Sequence, residues 1–588
     1  MSKLLIIDDE ELFLNSISEQ LKLRGFDVVT RTSGKDVEQL ITKDKAIDVV
    51  LLDLKMPDIS GEDVLKRIKA TRPEVQVVIL TGHGDTESAT QMAKLDAFNY
   101  LQKPVDIEKL VDVLNNARTK AKFLIAEHEE KGAKSTKSII FQLVLAFGVG
   151  LIIYLLPTPE GLSPQGHRFL AFLMTVVILW VSEVIPIGIT ALLVGAGLVI
   201  LNIQKPEAAW VPFASPAVMF VMMIIMFGVI INEVGLTNRI LVGILKMGGR
   251  KLIPFSLFLC VVSSLLSTVF HDATITIIFL FSMMPVFHKL NITPQNSNNL
   301  SKFFTILIPL SAGAGGHGTI LGGGRNPVAV DFLEKYTGVH IGFVEYMVCQ
   351  FPTVIFLSLT TYLVIYLMFP PRMKEIPFEI QTKLPPMSKK EKGVAIIFAI
   401  CFILWAVGDI TKLHVSVVSA LALALICGLG YVKFKTITSK FPWEAWLVFG
   451  AGVSLGTAML DTGAGKWLAD QFAPLLIGQS KLIQYFGIGI FGSFITSFMS
   501  NTAATALCLP IMLPLAQTLG INVKHIALIL PAATTFVWLV IGCPPTLISY
   551  STGYFSQMDF LKVSLLRSFS CVFIYALVVS IYWPLIGF

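Results

Sequence analysis

Charge is scarce in this chain. Only 15% of its residues are Asp, Glu, Lys or Arg, against 54% hydrophobic, whereas soluble domains carry about 25% charged residues. Most of the sequence is therefore composed for lipid. Cysteine is sparse too: Cys260, Cys349, Cys401, Cys427, Cys508, Cys543 and Cys571 make up the complement of seven. None forms a C-x-x-C pair, which excludes a disulfide framework and a zinc site and leaves buried small apolar thiols. No Arg-rich stripe with interleaved aromatics occurs. The net charge of +6 is read as basic loops at membrane ends, not as a nucleic-acid surface. The opening MSKLLIIDDEE lacks an apolar run with a small-residue cleavage site, so the front end is expected to stay in the cytoplasm.

What charge there is lies unevenly. Residues 1–121 hold a soluble mixture of acids and bases, and 122–137 read as a polar cytoplasmic linker. After Ser138 come apolar runs of roughly 17–25 residues, the length that crosses a bilayer as a helix. A basic stretch at 371–392 divides these runs into halves, 138–370 and 393–588, and another lies at 237–251. Together with Lys131, Lys134 and Lys137, they favour a cytoplasmic amino terminus.

In the front segment, KLLII, DVVTR, VVLLD, VQVVILT and FNYLQ read as strands, each followed by a helical pattern. An α/β domain with a doubly wound five-stranded parallel sheet is expected. Chemistry in such sheets sits beyond the carboxyl ends of the strands. Asp8 and Asp9 close the first strand, Asp53 the third, Thr81 the fourth and Lys103 the fifth. Three carboxylates at one point need a cation, and a hard ion such as Mg2+ fits. Asp53 is then placed to attack a phosphoryl group while the metal and Lys103 offset the charge.

IIDDEE, LLDLKMPDISG, ILTGHGD and FNYLQKPVD resemble the receiver domains of two-component response regulators over the whole segment. The resemblance implies that Asp53 is the phosphoacceptor and that Asp8, Asp9 and Asp53 hold Mg2+. It makes Thr81 and Tyr100 the switch pair and has Lys103 contact the phosphoryl group. A sensor histidine kinase is the implied partner. Lys103-Pro104 is expected to be cis, which proline permits at small cost.

The membrane half repeats its landmarks. Phe213-Ala-Ser-Pro recurs as Phe441-Pro-Trp-Glu, Glu233-Val-Gly as Asp461-Thr-Gly, and Asp272-Ala-Thr as Ser500-Asn-Thr. Three collinear pairs at one offset imply a repeat. Repeats in membrane carriers are commonly inverted, with ligand sites at the midplane where broken helices meet. The stretches opening at 213 and 441, with Gly228 and with Gly450, Gly452 and Gly456 near their middles, are read as two re-entrant hairpins. The alternative is one ordinary glycine-containing span per half, packed closely on its neighbours. An all-α polytopic fold follows either way.

Polar groups interrupt the apolar runs at two places in the second half. Ser500, Asn501 and Thr502 offer three side-chain oxygens beside an unwound helix, a suitable cage for Na+. Gly542-Cys543-Pro544-Pro545-Thr546 cannot continue a helix, and its partner in the first half is Gly322-Gly323-Gly324-Arg325-Asn326. The segments FPWEAWLVFGAGVSLGTAMLDTGAGKWLA, MSNTAAT and GCPPTLISYSTGYFSQMDFLKV, with the weaker GGHGTILGGGRNP, resemble the divalent anion:sodium symporters.

That resemblance implies Na+-coupled carriage of a dicarboxylate, citrate or sulfate by an elevator-like slide, and a homodimer in the inner membrane of a bacterium. It also implies Na+ and substrate contacts at Ser500, Asn501, Thr502, Gly542, Cys543 and Pro544. The first-half candidates are Asp272, Thr274, Gly322, Gly323, Arg325 and Asn326, and there the sequence departs from the pattern, reading Asp272-Ala273-Thr274 and Gly323-Gly324-Arg325-Asn326. A charge at the bilayer centre costs roughly 2.5–3.5 kcal/mol, so Asp272 and Arg325 need a purpose or a partner. Asp272 serves Na+ or exchanges a proton, Arg325 clamps an anion, or the two neutralise each other. His317 reads as a hydrogen-bonded core histidine.

No enzyme activity is read from the chain. A carrier whose receiver controls it is the leading reading. A transporter-shaped receptor, and a proton-coupled carrier or cation antiporter working through Asp272, are the rivals.

Overall fold

The computed structural model describes residues 3–81, 98–118 except 109, 112 and 116, residue 121, 136–290, 292–376 and 386–588. The linker with Lys131 and Lys134, the GHGD loop after Thr81 and residues 377–385 lie outside them, as do the side chains of Thr81, Tyr100 and Lys137. Two compact units, Met1–Ser135 and Thr136–Phe588, form the chain.

In the first unit, strands β1 (Lys3–Ile7), β2 (Asp27–Arg31), β3 (Ile47–Leu52), β4 (Gln76–Thr81) and β5 (Asn99–Gln102) form one parallel sheet ordered β2-β1-β3-β4-β5. Alternate residues build two cores. Leu5, Ile7, Val50, Leu52, Val77 and Ile79 pack on one face, and Leu4, Ile6, Val49, Leu51, Val78 and Leu80 on the other. Burial on both faces is why these strands read as unbroken apolar runs. Helices α1 (Glu11–Leu23), α2 (Val37–Lys43) and α3 (Gly61–Thr71) connect them. The strand order reverses between β1 and β3, so Asp8 and Asp53 emerge side by side, as ligand sites do at such a point. The Lys103-Pro104 bond is cis.

The second unit is helical: α4 (Thr136–Leu155), α5 (Pro164–Ser182), α6 (Ile187–Ile200), α7 (Pro206–Trp210), α8 (Pro216–Glu233), α9 (Leu236–Met247), α10 (Leu252–Ser267), α11 (Asp272–Lys289), α12 (Asn299–Gly315), α13 (Arg325–Thr337) and α14 (Phe343–Met368). The succession from α5 onward returns as α15 (Lys389–Ala406), α16 (Val415–Gly428), α17 (Phe434–Ser439), α18 (Trp443–Asp461), α19 (Ala464–Leu476), α20 (Lys481–Thr496), α21 (Asn501–Leu519), α22 (Val523–Ala533), α23 (Pro544–Tyr550) and α24 (Gln557–Leu585), with α4 standing outside it. Among the described residues, seven helices are long and apolar enough to cross a membrane. Large apolar side chains stay exposed along them, Phe141 and Leu151 on α4 and Leu363 on α14 among them, a surface suited to lipid.

The expected hairpins are not where the glycines are. The stretches opening at 213 and 441 run into α8 and α18, each a continuous helix. An interior glycine costs a helix only about 1 kcal/mol, which packing readily offsets. A side chain on Gly450 would strike the Phe213 ring, and one on Gly456 would strike the Phe332 ring and lie 3.2 Å from the Ala506 carbonyl. These glycines admit neighbours. The repeat partner of Gly456 is Gly228 (456 − 228 = 228), around which no atom lies within 4 Å of a built Cβ. Gly456→Leu should therefore destabilise the fold by about 1–3 kcal/mol through overpacking. Gly228→Leu, which meets open space and removes the helix cost of glycine, should leave the thermal unfolding temperature in detergent unchanged or raise it slightly. Equal effects of the two would refute this account.

The register of the repeat shifts within each half. The ends of α8 and α18 are 228 apart (461 − 233), whereas the starts of α11 and α21 are 229 apart (501 − 272). Ser500 caps α21, its carbonyl accepting from Ala504 N at 2.9 Å; His271 holds that place before α11, its carbonyl accepting from Ile275 N at 3.3 Å. Asp272 thus stands opposite Asn501, not Ser500, because the path from α18 to α20 is one residue longer.

The two basic stretches lie together. Ile376 N donates to Arg250 O at 2.9 Å and Leu252 N to Lys374 O at 3.0 Å. Arg239 pairs with Glu391 and donates to Pro386 O at 3.1 Å. They therefore occupy one end of the helical unit. Helices α14 and α24 pack along each other with matching clusters at their two ends. Lys302 of α12 meets Asp559 at the start of α24 at 3.0 Å and lies 5.7 Å from the Phe369 ring just beyond α14. Lys524 of α22 meets Glu345 at the start of α14 at 2.5 Å and lies 5.4 Å from the Phe588 ring beyond α24. The two helices therefore run antiparallel.

Candidate functional site

Asp8 and Asp53 are buried and Asp9 is exposed, yet each of the three offers a carboxylate oxygen within 4.8 Å of the others. Lys103 reaches between them, its Nζ donating to Asp8 Oδ2 at 2.6 Å and to Asp53 Oδ2 at 2.9 Å above the Phe13 ring. Glu10 N donates to Asp8 Oδ1 and Lys55 N to Asp53 Oδ1. Burial holds the Asp8 carboxyl above the usual aspartate range despite the Lys103 hydrogen bond. Burial also works to lower the Lys103 ammonium, but its bonds to Asp8 and Asp53 outweigh that and raise it. Three acidic oxygen donors fit a hard divalent cation, which would offset charge on a phosphoryl group presented to Asp53.

Asp8 must be ionised to bind such a cation. Mg2+ affinity should therefore fall with pH through a value above the ordinary aspartate range. Lys103→Met removes the interactions that hold Asp8 down, so the loss should come at a higher pH still. Calorimetric Mg2+ titration across acidic pH measures this; an unmoved midpoint contradicts it.

In the helical unit, the break between α20 and α21 meets the non-helical path from Thr534 to Cys543. Thr496 Oγ1 donates to Asn501 Oδ1 at 2.8 Å and to Thr534 O at 3.1 Å, and the Thr505 and Thr534 hydroxyls lie 2.9 Å apart. Ser500 Oγ accepts from Ala503 N. Ser497 Oγ accepts from Trp538 N, and Trp538 Nε1 donates to Ser493 Oγ at 2.8 Å. A side chain on Gly542 would sit 3.2 Å from the Thr496 carbonyl. Neutral oxygens of Thr496, Asn501 and Thr534 thus gather with Gly542, a donor set that fits Na+. Thr502 and Cys543 are buried beside them, and Pro544 opens α23. Thr496, Ser497 and Thr534 escaped the sequence reading, although the hydroxyls of ITSFMSN lie one turn before Asn501 in an apolar run.

The first half makes a different arrangement. Thr319 Oγ1 donates to Thr268 O at 2.5 Å, and Asn326 Nδ2 donates to Gly316 O at 2.8 Å and to Thr319 O at 2.7 Å. Asp272 and Arg325 are buried, within electrostatic reach of each other. The salt bridges of the described residues do not include the two together: Asp272 pairs with His271 at 3.3 Å. Direct neutralisation at contact is therefore not what the structure has. Thr274 is half-buried on the first turn of α11, and Gly322 closes a short 3-10 turn before Gly323. His317 is fully buried, its Nε2 2.8 Å from Thr353 Oγ1.

Residues 137–588 match the family described as the sodium:sulfate symporter transmembrane region, and residues 4–115 match the response regulator receiver domain. A sodium-dependent dicarboxylate transporter of Staphylococcus aureus (strain USA300) is 25% identical over 476 residues, covering 76% of this chain and 91% of its own length. An uncharacterised transporter of Haemophilus influenzae is 26% identical over 459 residues, covering 76% and 96%. Among solved structures, a response regulator receiver domain protein from Clostridium thermocellum is 42% identical over 21% of this chain and 99% of its own, with a TM-score of 0.21.

Proposed function

The chain belongs to the sodium:sulfate symporter family and carries a receiver domain ahead of its membrane region, and on that premise we propose that it is a Na+-driven carrier of a di- or tricarboxylate or another divalent anion, controlled by phosphorylation of Asp53. The observation that carries this reading is the neutral oxygen cage of Thr496, Asn501 and Thr534 at a helix break inside the matched region. Such a cage suits a monovalent cation, and the amino-terminal end of α21 beside it carries the positive end of the helix dipole, which suits an anion. Ser500, Asn501, Thr502, Gly542, Cys543 and Pro544 form the second-half contacts, and Asp272, Thr274, Gly322, Gly323 and Asn326 line the corresponding first-half pocket, into whose loop Arg325 is built.

The re-entrant hairpins are α10 with α11 and α20 with α21, whose breaks carry these motifs. The antiparallel course of α14 and α24, with like clusters at opposite ends, supports an inverted repeat. Asp53 takes its phosphoryl group from a sensor histidine kinase with Mg2+ bound by Asp8, Asp9 and Asp53. Thr81 and Tyr100 relay the change to membrane loops. The carrier is a homodimer in a bacterial inner membrane with its receiver in the cytoplasm.

Uptake of labelled succinate, citrate and sulfate into proteoliposomes, with and without a Na+ gradient, tests the reading. Accumulation that requires Na+ is the expected result. Uptake driven by a pH gradient without Na+ would replace the reading with proton coupling through the buried Asp272. Binding without net uptake would replace it with a receptor.

A further inference from the structure

The two halves build corresponding pockets with unlike contents. In the second half Thr496, Asn501 and Gly542 converge and carry no formal charge. Their partners are Ser267 (496 − 267 = 229), Asp272 (501 − 272 = 229) and Gly322 (542 − 322 = 220). Ser267 Oγ is buried without a hydrogen-bond partner, and Asp272 puts a carboxylate where Asn501 puts an amide.

One group in the first pocket has no polar counterpart. Arg325 corresponds to Pro545 (545 − 325 = 220), a buried proline. Its guanidinium folds back over its own loop. A side chain on Gly316 would collide with Nη2, and one on Gly323 would lie 3.1 Å from Nη1. Gly322 completes the cradle: a Cβ there would sit 2.6 Å from Gly316 O and 2.9 Å from Ser267 O. Arg325 is 4% exposed, and its Nε and Nη2 are closed off without a partner. A bidentate anion clamp must show two N–H groups to the cavity, and with Nε and Nη2 closed off only Nη1 is left to do so. A buried cation otherwise costs several kcal/mol unless a countercharge faces it, and Asp272 is the carboxylate within electrostatic reach.

We propose that Arg325 is a built-in substitute for a sodium ion: its guanidinium fills the first-half cation site, Asp272 balances it, and the chain binds one Na+ where a carrier with two neutral cages would bind two. The inference rests on the reading of the chain as a Na+-driven carrier. It assigns the mobile ion to the Asn501 cage alone.

Equilibrium binding of radioactive Na+ to the purified full-length chain in detergent counts the sites. Wild type should bind one Na+ per chain, Arg325→Lys should keep one, and Arg325→Ser should bind two because the vacated pocket gains room for an ion. Thermal unfolding reports whether each variant is folded, and the wild-type count decides even if Arg325→Ser is not. Two ions on the wild type would overturn the inference and leave Na+ coupling standing. No ion on the wild type would remove Na+ coupling and the inference with it. A folded Arg325→Ser that keeps one Na+ but loses succinate or sulfate binding would make Arg325 an anion ligand and overturn the proposal.

Discussion

Asn501→Ala should abolish Na+-driven anion uptake in a chain that still folds. Asn501 opens α21, and its Oδ1 accepts from the Thr496 hydroxyl, which also lies 3.1 Å from Thr534 O. Alanine keeps the helix start, because Ser500 and not Asn501 supplies the cap to Ala503 N. What goes is one oxygen of the cage, and with it the hydrogen bond that aims Thr496. Loss at a metal site of this kind typically lowers affinity ~10–100-fold. A carrier that needs the ion to bind its anion then stalls at ordinary Na+ concentrations. Uptake in proteoliposomes at stepped Na+ measures it, with partial recovery expected at the highest Na+. Undiminished uptake at low Na+ would remove the cage from the transport cycle.

The second large effect lies at the other end of the chain. Asp53→Asn should eliminate phosphorylation, whether the donor is a histidine kinase or a small phosphodonor such as acetyl phosphate. Asp53 is buried at the end of β3, its Oδ2 2.9 Å from Lys103 and its Oδ1 accepting from Lys55 N. Asparagine fits the same space but has no anionic oxygen to attack phosphorus. Asp9→Asn, by contrast, should reduce the rate without removing the acceptor, since its carboxylate serves the metal. Radiolabel incorporation followed by mass mapping distinguishes the cases. Label persisting on Asp53→Asn at another aspartate would place the acceptor elsewhere. Applied to uptake, the Asp53→Asn chain should be fixed at the unphosphorylated rate whatever kinase is present.

The receiver was legible in detail because its information is local. Five short apolar runs, the central ones buried on both faces, announce the sheet, and the acids fall where such sheets do chemistry. The membrane half yielded its order but not its geometry. Gly450 and Gly456 look like helix breakers in a string of letters; only the Phe213 and Phe332 rings beside them show that they are clearances for packing. The breaks fall instead at His271 and Ser500, where cap hydrogen bonds decide the register. No residue spacing reveals that shift of one position. Arg325 shows the same limit more sharply. Its type was visible as a departure, but whether it faces the cavity or its own loop depends on Gly316, nine residues back through an irregular path.

The clusters at the two ends of α14 and α24 have a mechanical consequence. Lys302 bridges from α12 to α24 at one end, and Lys524 from α22 to α14 at the other. Each ammonium also lies near an aromatic ring beyond the opposite helix of the pair. Helices α14 and α24 are thereby tied at both ends, and α12 and α22 at one end each, so a displacement of one of the pair is passed to the other. Deformation must gather at the unpinned margins, where these helices meet the rest of the bundle. Two antiparallel rods fastened at both ends make a stiff pair within the bundle.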